Sequence, residues 1–429
     1  MSPSLLLHIE TAPEATEQND EFLQERALRS ARQRFCRPVN GRETPSLPRT
    51  IAERLGFELE LISRTDSAPV FLAAADLAAH SRQSGRLVCS GTGHLPCSLV
   101  AYALGITDIN PLRYGLPFER MIDPDDPRPP RLGLAVDSLP EASAHLRSLH
   151  GPMLVHAIPD GFTEALELTE SPATLILKRL LDRVERATGK RPKLEEFREN
   201  DAAAWALLNR GPRGALSSQE VLEAGLMEPT EADTHGLARA GASRPVGDDP
   251  VREVPIISFG GWDGGRDFPV ASIEDLALRE ASRRPTGGAW DLWDSVVAFL
   301  ARRAGTMDIT TPHPLLEPVL AGSQGALVWQ EQLVHAASVL TGWSLGQANR
   351  FRRAMARARP NETWAWSDRF VTACVEQRQI PRREAEGLAA WLGECALVVQ
   401  SKSHHLGEAL TLSRLACVLA QHPEALSAR

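Results

Sequence analysis

The stretch from Cys97 to Ser138 constrains this chain more than any other. CSLVAYALGITDINPLRYGLPFERMIDPDD, from Cys97 to Asp126, is punctuated by glycine and proline and is followed closely by PPRLGLAVDS, from Pro129 to Ser138. The pattern predicts a helix from about Ser98, then turns, then a strand. In that strand Leu132, Leu134 and Val136 fall on one face, and Gly133, Ala135 and Asp137 on the other, because side chains alternate across a strand. GPMLVHAIPDG and ALELTE read as two further strands. The second leads into a helix, SPATLILKRLLDRVERAT, with Pro172 suited to its first turn.

Around this stretch the chain is mostly helical. Residues 17 to 64 carry apolar positions three and four apart with charges between, and Pro48 stands ahead of the second helix. SAPVFLAAADLAAHSRQSG reads as a short strand turn followed by a helix, and RLVCSGTGHLPCSLVAYALG as a strand, a glycine loop and a helix. Residues 227 to 270, rich in Gly, Pro and acidic side chains, read as a linker. From about 272 to 429 the pattern is helical, with no internal repeat.

Bulk properties exclude several classes. No window approaches the roughly 18 apolar residues of a membrane span, and MSPSLLLHIE turns acidic at once, unlike a signal peptide. A cytoplasmic protein without a membrane partner is expected. The net charge of -8 argues against a purely electrostatic nucleic-acid binder but leaves room for a local basic groove. That groove would be built of arginine, since lysine occurs only at 178, 190, 193 and 402. The six cysteines are scattered and expected to be reduced. The spacing of Cys89, His94 and Cys97 fits no zinc pattern, so structural zinc is not expected there.

Ordered along the chain, several motifs resemble the alpha subunit of bacterial DNA polymerase III, the C family. ERLGFELELI resembles the helix that opens that family's palm, and SLVAYALGITDINPLRYGLPFERMIDP its continuous signature. SRRPTGG resembles its F-R-P-G-P turn. LEPVLAGSQGALVWQEQLVHAASVLTGWSLGQANRFRRAMARAR resembles the stretch with Y-Q-E-Q and R-R-A-M-G-K-K, and SKSHHLGEALTLSRLACVLAQHPEAL resembles N-K-S-H-S-A-A-Y and the helix after it. The resemblance implies an α+β fold: a polymerase-beta-like nucleotidyltransferase palm with helical thumb and fingers. It divides the chain into a helical lead-in (1–50), a palm-like part with thumb elements (51–180), a connecting region (181–271) and fingers (272–429). The family's PHP domain and its clamp- and DNA-binding modules have no counterpart, which implies a free-standing palm, thumb and fingers unit.

Where the family carries P-D-F-D-x-D-F, with its metal-binding aspartates, this chain has Gly133 and Ala135 at the two catalytic positions. Two-metal phosphoryl transfer needs carboxylates holding cations about 3.5–4 Å apart. Asp137 and Glu167, the latter at the place of the family's third carboxylate, are the remaining candidates for Mg2+ or Mn2+, and only in an active protein. Asp137 reads otherwise as a strand-end aspartate and Glu167 as a surface residue of a strand. The family's phosphate loop reads G-R-G-S; here Gly91 and Gly93 remain but the arginine and serine do not, and Pro96 removes a backbone donor. Arg352, Arg353, Arg357 and Arg359 keep basic charge where the family has its R-R-A-M-G-K-K, and Lys402, Ser403 and His404 match K-S-H. The resemblance implies that these positions lie near nucleotide and template. The family tyrosine after that motif is Glu408, a carboxylate that would repel a triphosphate. Trp364 and Trp366 could stack on bases, with core or partner packing as the blander expectation.

Three functions are open at this point. The first is an inactive polymerase homologue that binds primed or single-stranded DNA or docks on replication or repair proteins. The second is an atypical active nucleotidyltransferase using Asp137 and Glu167. The third is an interaction scaffold without nucleic acid.

Overall fold

The computed structural model of the chain describes residues 4–9, 16–36, 46–90, 93–150, 155–157, 165–197, 201–209, 216–217, 255–257, 268–282 and 292–426. Most of the 227–270 linker and the SRRPTGG turn beyond Ser282 lie outside the described residues, as does Gly91. No described helix is long and apolar enough to cross a membrane.

In chain order the elements begin with β1 (Ser4–Ile9), α1 (Thr16–Phe35), α2 (Arg49–Ser63), α3 (Ala68–Ser84), β2 (Val88–Ser90), α4 (Leu99–Leu104), α5 (Pro111–Tyr114) and β3 (Arg131–Val136). They continue with α6 (Leu139–His150), β4 (Val155–Ala157), β5 (Ala165–Glu170), α7 (Pro172–Thr188), α8 (Ala202–Leu208), β6 (Leu216–Ser217) and β7 (Pro255–Ile257). The remainder is helical: α9 (Ile273–Ser282), α10 (Leu292–Arg303), α11 (Glu317–Leu320), α12 (Gln330–Thr341), α13 (Leu345–Arg357), α14 (Pro360–Arg378), α15 (Arg382–Val398) and α16 (Lys402–Gln421). A helix-rich α+β protein results.

The main sheet has five strands in the order β2-β3-β5-β1-β4. Only β3 and β5 run parallel; the other pairs are antiparallel. Two readings of the sequence are corrected here. SLLLHI, assigned to a helical lead-in, is β1 and lies inside the sheet, with Leu7 opposite Leu166 of β5 and Ala157 of β4. Its three consecutive leucines carry no clear period, and the helical text that follows overshadowed them. VFL of SAPVFLAAADLAA is helix rather than a strand turn: Pro69 occupies the first turn after Ser67, and Val70, Phe71 and Leu72 are buried in α3. β3 is covered on both faces, since Gly133 and Ala135 are buried along with Leu132 and Leu134.

The described residues pack into three cores. One gathers α1–α4 and α6 over the sheet around Leu7, Phe71, Leu132, Leu134 and Leu168. Another packs α7, α8, α9 and α16 around Ile176, Leu180, Leu276 and Leu415. The third joins α12–α15 around Leu333, Phe351, Phe370 and Leu392. Residues 272–429 therefore do not share one core: α9 and α16 pack with α7 and α8, while α12–α15 form their own unit.

Candidate functional site

Two places carry the chemistry the sequence pointed to, the Gly133–Glu167 side of β3 and β5 and the seam where the helical half meets residues 93–128.

On the sheet, the parallel register sets Gly133 opposite Glu167 and Ala135 opposite Thr169. Partners in register share a face, so Glu167 does stand beside the first vacated position. Its carboxylate is 3.9 Å from Arg131 Nη1. Asp137 lies four residues beyond Gly133, roughly 13 Å along the strand at about 3.3 Å per residue. It turns toward β2 instead, where its Oδ2 accepts from the Leu87 N–H at 3.2 Å and sits 3.9 Å from Arg86. Burial raises its carboxyl above the ordinary aspartate value, against the lowering by the Leu87 N–H and Arg86. The two candidate carboxylates are thus not brought together.

Between them the surface is filled. Cys89 of β2 stands opposite Ala135 in the antiparallel register, and its thiol is buried near Thr174 in α7 and Thr411 in α16. Ala135 is 5% exposed and Thr174 is fully buried. A pair of Mg2+ or Mn2+ ions needs hard oxygen ligands at octahedral spacing, and a glycine, an alanine, a thiol and two threonines do not supply them. The residues present do not fit the metal pair of the resembled family.

The seam is organised by a buried ion pair. Arg120, in FERM, is 5% exposed, and Glu331, in WQEQ, is 2% exposed. Arg120 Nε lies 3.5 Å from Glu331, Nη1 donates to Asn349 Oδ1 at 3.0 Å, and Nη2 donates to Gln330 Oε1 at 2.6 Å. Glu331 in turn accepts from the Lys402 N–H at 2.8 Å, the Ser403 N–H at 3.5 Å and Ser401 Oγ at 3.3 Å. It satisfies donors that the first turn of α16 cannot pair within the helix. Burial opposes its charge, but Arg120 and those N–H groups prevail and hold the carboxyl below its ordinary range. Glu58 does the same for α4, accepting from Ser98 Oγ at 2.8 Å and from the N–H groups of Leu99 and Val100 at 2.9 and 3.0 Å. There burial prevails and raises the carboxyl above its usual value.

These anchors place the glycine loop against the K-S-H motif. His94 Nδ1 is 3.2 Å from Ser403 Oγ, and Ser403 Oγ is 3.5 Å from the carbonyl of Gly93. Burial, then Arg120, Arg352 and His404, hold the His94 imidazole well below its ordinary pKa, so it is neutral. Lys402 is committed elsewhere: its ammonium donates to the Tyr114 carbonyl at 2.9 Å and pairs with Glu274 at 2.6 Å. His404 turns to Glu408.

The arginine row divides. Arg352 is half-buried, and its Nε donates to Asn349 at 3.3 Å. Burial, with Arg120 beside it, brings its guanidinium down to about 9. Arg359 caps α14 through its backbone, its carbonyl accepting from the Thr363 N–H at 2.8 Å. Arg353 and Arg357 line a cleft of about 610 Å³ together with Arg128, Arg131 and Arg350. Asp123, Asp126 and Glu362 line it too, as does the ring of Trp366. Trp364 is on the opposite side of α14, 71% exposed, since residues two apart on a helix do not share a face.

Sequence reading missed Arg128, Arg131 and Arg350 in this cleft, and Arg120 and Glu331 in the seam. Arg120 and Glu331 lie inside the motifs quoted above, but a buried ion pair over a separation of 211 residues leaves no local pattern. The other three stand among loop and helix charges that look like solvated surface.

Similarity to known proteins follows the same lines. The profile of the bacterial DNA polymerase III alpha NTPase domain matches residues 21–139, and that of the bacterial DNA polymerase III alpha subunit finger domain matches residues 266–378. DNA polymerase III subunit alpha of Halalkalibacterium halodurans is 23% identical over 88% of this chain and 40% of its own length. The Aquifex aeolicus protein of the same name is 22% identical over 94% and 43%, and an error-prone DNA polymerase of Methylococcus capsulatus is 27% identical over 72% and 37%. The chain spans about two fifths of the length of these relatives. With both profiles in order and the quoted motifs falling on the sheet and the seam, the chain belongs to the family of bacterial DNA polymerase III alpha subunits.

Proposed function

We propose that this chain is a catalytically inactive polymerase III alpha-like protein that binds primed or single-stranded DNA through the arginine-lined cleft, within a replication or repair complex. On this reading the sheet is a polymerase-beta-like palm, with α12–α15 as fingers. The observation that carries it is the burial of Ala135, the position at which the family holds a metal-binding aspartate, between Cys89 of β2 and Thr169 of β5 in the sheet register. Separation of Asp137 from Glu167 supports the same conclusion and weighs against an atypical active site.

The cleft argues for binding over a pure scaffold. Arginine pairs with phosphate through two parallel N–H donors, and five of them gather there beside an aromatic ring. Each of the five already has a carboxylate within 4.0 Å, so phosphate competes with those partners and about two net phosphate contacts are expected. With counterion release of about 0.9 per neutralised phosphate, affinity should fall roughly 10-fold between 50 and 200 mM salt. Anisotropy of a labelled primed template, measured across that range, tests this. A salt-independent signal, or none at the lowest salt, would refute DNA binding through the cleft and leave the scaffold reading.

A further inference from the structure

The first turn of α16 holds a cluster that the proposed function does not use. His404, His405 and Glu408 each offer a ligand atom, and these atoms all lie within 4.8 Å of one another. Glu408 sits one helical turn after the two histidines, so its carboxylate falls between their rings. His404 Nε2 is 3.3 Å from Glu408 Oε1, and His405 Nδ1 is 3.0 Å from Glu408 Oε2. Ligands held about 2.0–2.1 Å from a tetrahedral ion are themselves about 3.3 Å apart. The two His–Glu separations are therefore already close to the edges of such a tetrahedron, and the third lies within 4.8 Å.

We propose that His404, His405 and Glu408 form a three-ligand site for a divalent transition-metal ion of the zinc class. Two imidazoles and one carboxylate select zinc, cobalt, nickel or copper over magnesium, which prefers oxygen alone. The site is distinct from the vacated aspartate positions on β3. It lies on α16, and its carboxylate belongs to this chain where the resembled motif has a tyrosine. Burial is graded as an ion site requires. His405 is buried, whereas Glu408 keeps 38% of its side chain exposed, which gives an ion a way in and leaves the fourth position to water. The buried Nδ1 of His404 has no hydrogen-bond partner among the described residues, so the trio alone does not satisfy that ring.

A neighbouring trio, His94, Cys97 and Glu331, has similar spacing but different chemistry. Glu331 is committed to Arg120 and the start of α16. Burial, then Glu331, push the Cys97 thiol far above its usual value, so it stays protonated. Thiolate is the form that binds metal.

Cobalt titration of the chelator-treated full chain, followed by visible absorption, tests the proposal. One tetrahedral Co2+ per chain is expected, displaced by Zn2+ and untouched by millimolar Mg2+. Glu408→Gln and His404→Gln should each weaken binding by more than the roughly 10–100-fold cost of losing an outer partner. Cys97→Ser should bind as the parent does. Circular dichroism confirms that each variant is folded, and the exposed Glu408 makes that variant the safer of the two. The proposal is overturned by the absence of a tetrahedral spectrum, by a spectrum that persists in folded Glu408→Gln, or by one lost in Cys97→Ser.

Discussion

Glu331 couples the signature stretch, the α12–α15 unit and the start of α16, so its removal should cost far more than that of an exposed carboxylate. In Glu331→Ala, Arg120 is left as a buried cation 5% exposed, and the Lys402 N–H loses an acceptor at 2.8 Å. Breaking a buried pair by removing one partner costs about 3–5 kcal/mol. Glu53, whose pairing with Arg49 leaves it 61% exposed, is the control, and loss of such a surface pair costs less than about 1 kcal/mol. Urea unfolding followed by tryptophan fluorescence reads the difference. At a slope of about 3 kcal/mol/M the Glu331→Ala midpoint falls by roughly 1–1.7 M, and the Glu53→Ala midpoint barely moves. Because several cores are present, the transition should also split, with the α12–α15 unit parting from the rest. Replacing both partners, as Arg120→Met with Glu331→Leu, should be milder than Glu331→Ala alone. The reasoning fails if Glu331→Ala unfolds no earlier than Glu53→Ala.

The other predictions concern pH, packing and DNA. Glu331 is held below the ordinary 4.5 when folded, so its stabilisation is complete above about pH 4.5 and lost as pH falls through its folded value; Glu331→Gln should gain on the parent in that acid range. Glu58 is raised above 4.5, so acidification from neutral pH toward 4.5 relieves its burial cost, and Glu58→Gln should lose ground to the parent over that window. Unfolding midpoints measured against pH check both signs. Gly346→Ala, ordinarily favourable by about 1 kcal/mol in a helix, should instead destabilise by about 1–3 kcal/mol, because a Cβ there would lie 2.5 Å from Asp123 Oδ1; thermal unfolding decides. Arg353→Ala and Arg357→Ala should each weaken DNA binding evenly across sequences and lower the salt slope by about 1, with Arg49→Ala unchanged in the same anisotropy assay.

Elements with strong period were legible. Leu132, Leu134 and Val136 alternate as β3, and Ser171 and Pro172 open α7 as their residue types suggest. β1 was not legible, because SLLLHI becomes a strand only through β5 and β4, more than 140 residues away. The vacated positions Gly133 and Ala135 could be placed by resemblance. That Ala135 is buried beside Cys89 is tertiary information, as is the separation of Asp137 from Glu167. Lys402 was placed near nucleotide and template by resemblance, and its ammonium is held by Tyr114 and Glu274. A long side chain finds whichever partner the fold brings near, and the sequence does not record which. His404 and His405 show the converse: adjacent histidines carry no meaning until helical geometry puts Glu408 between them.

Primer extension on a primed template at low salt, with Mg2+ and then Mn2+, tests the central claim most directly. Anisotropy of the same labelled DNA first establishes that it is bound. Bound template with no nucleotide added in either metal is the predicted result. Incorporation that disappears in Glu167→Ala would contradict it, and would mean that the carboxylate opposite Gly133 still supports catalysis.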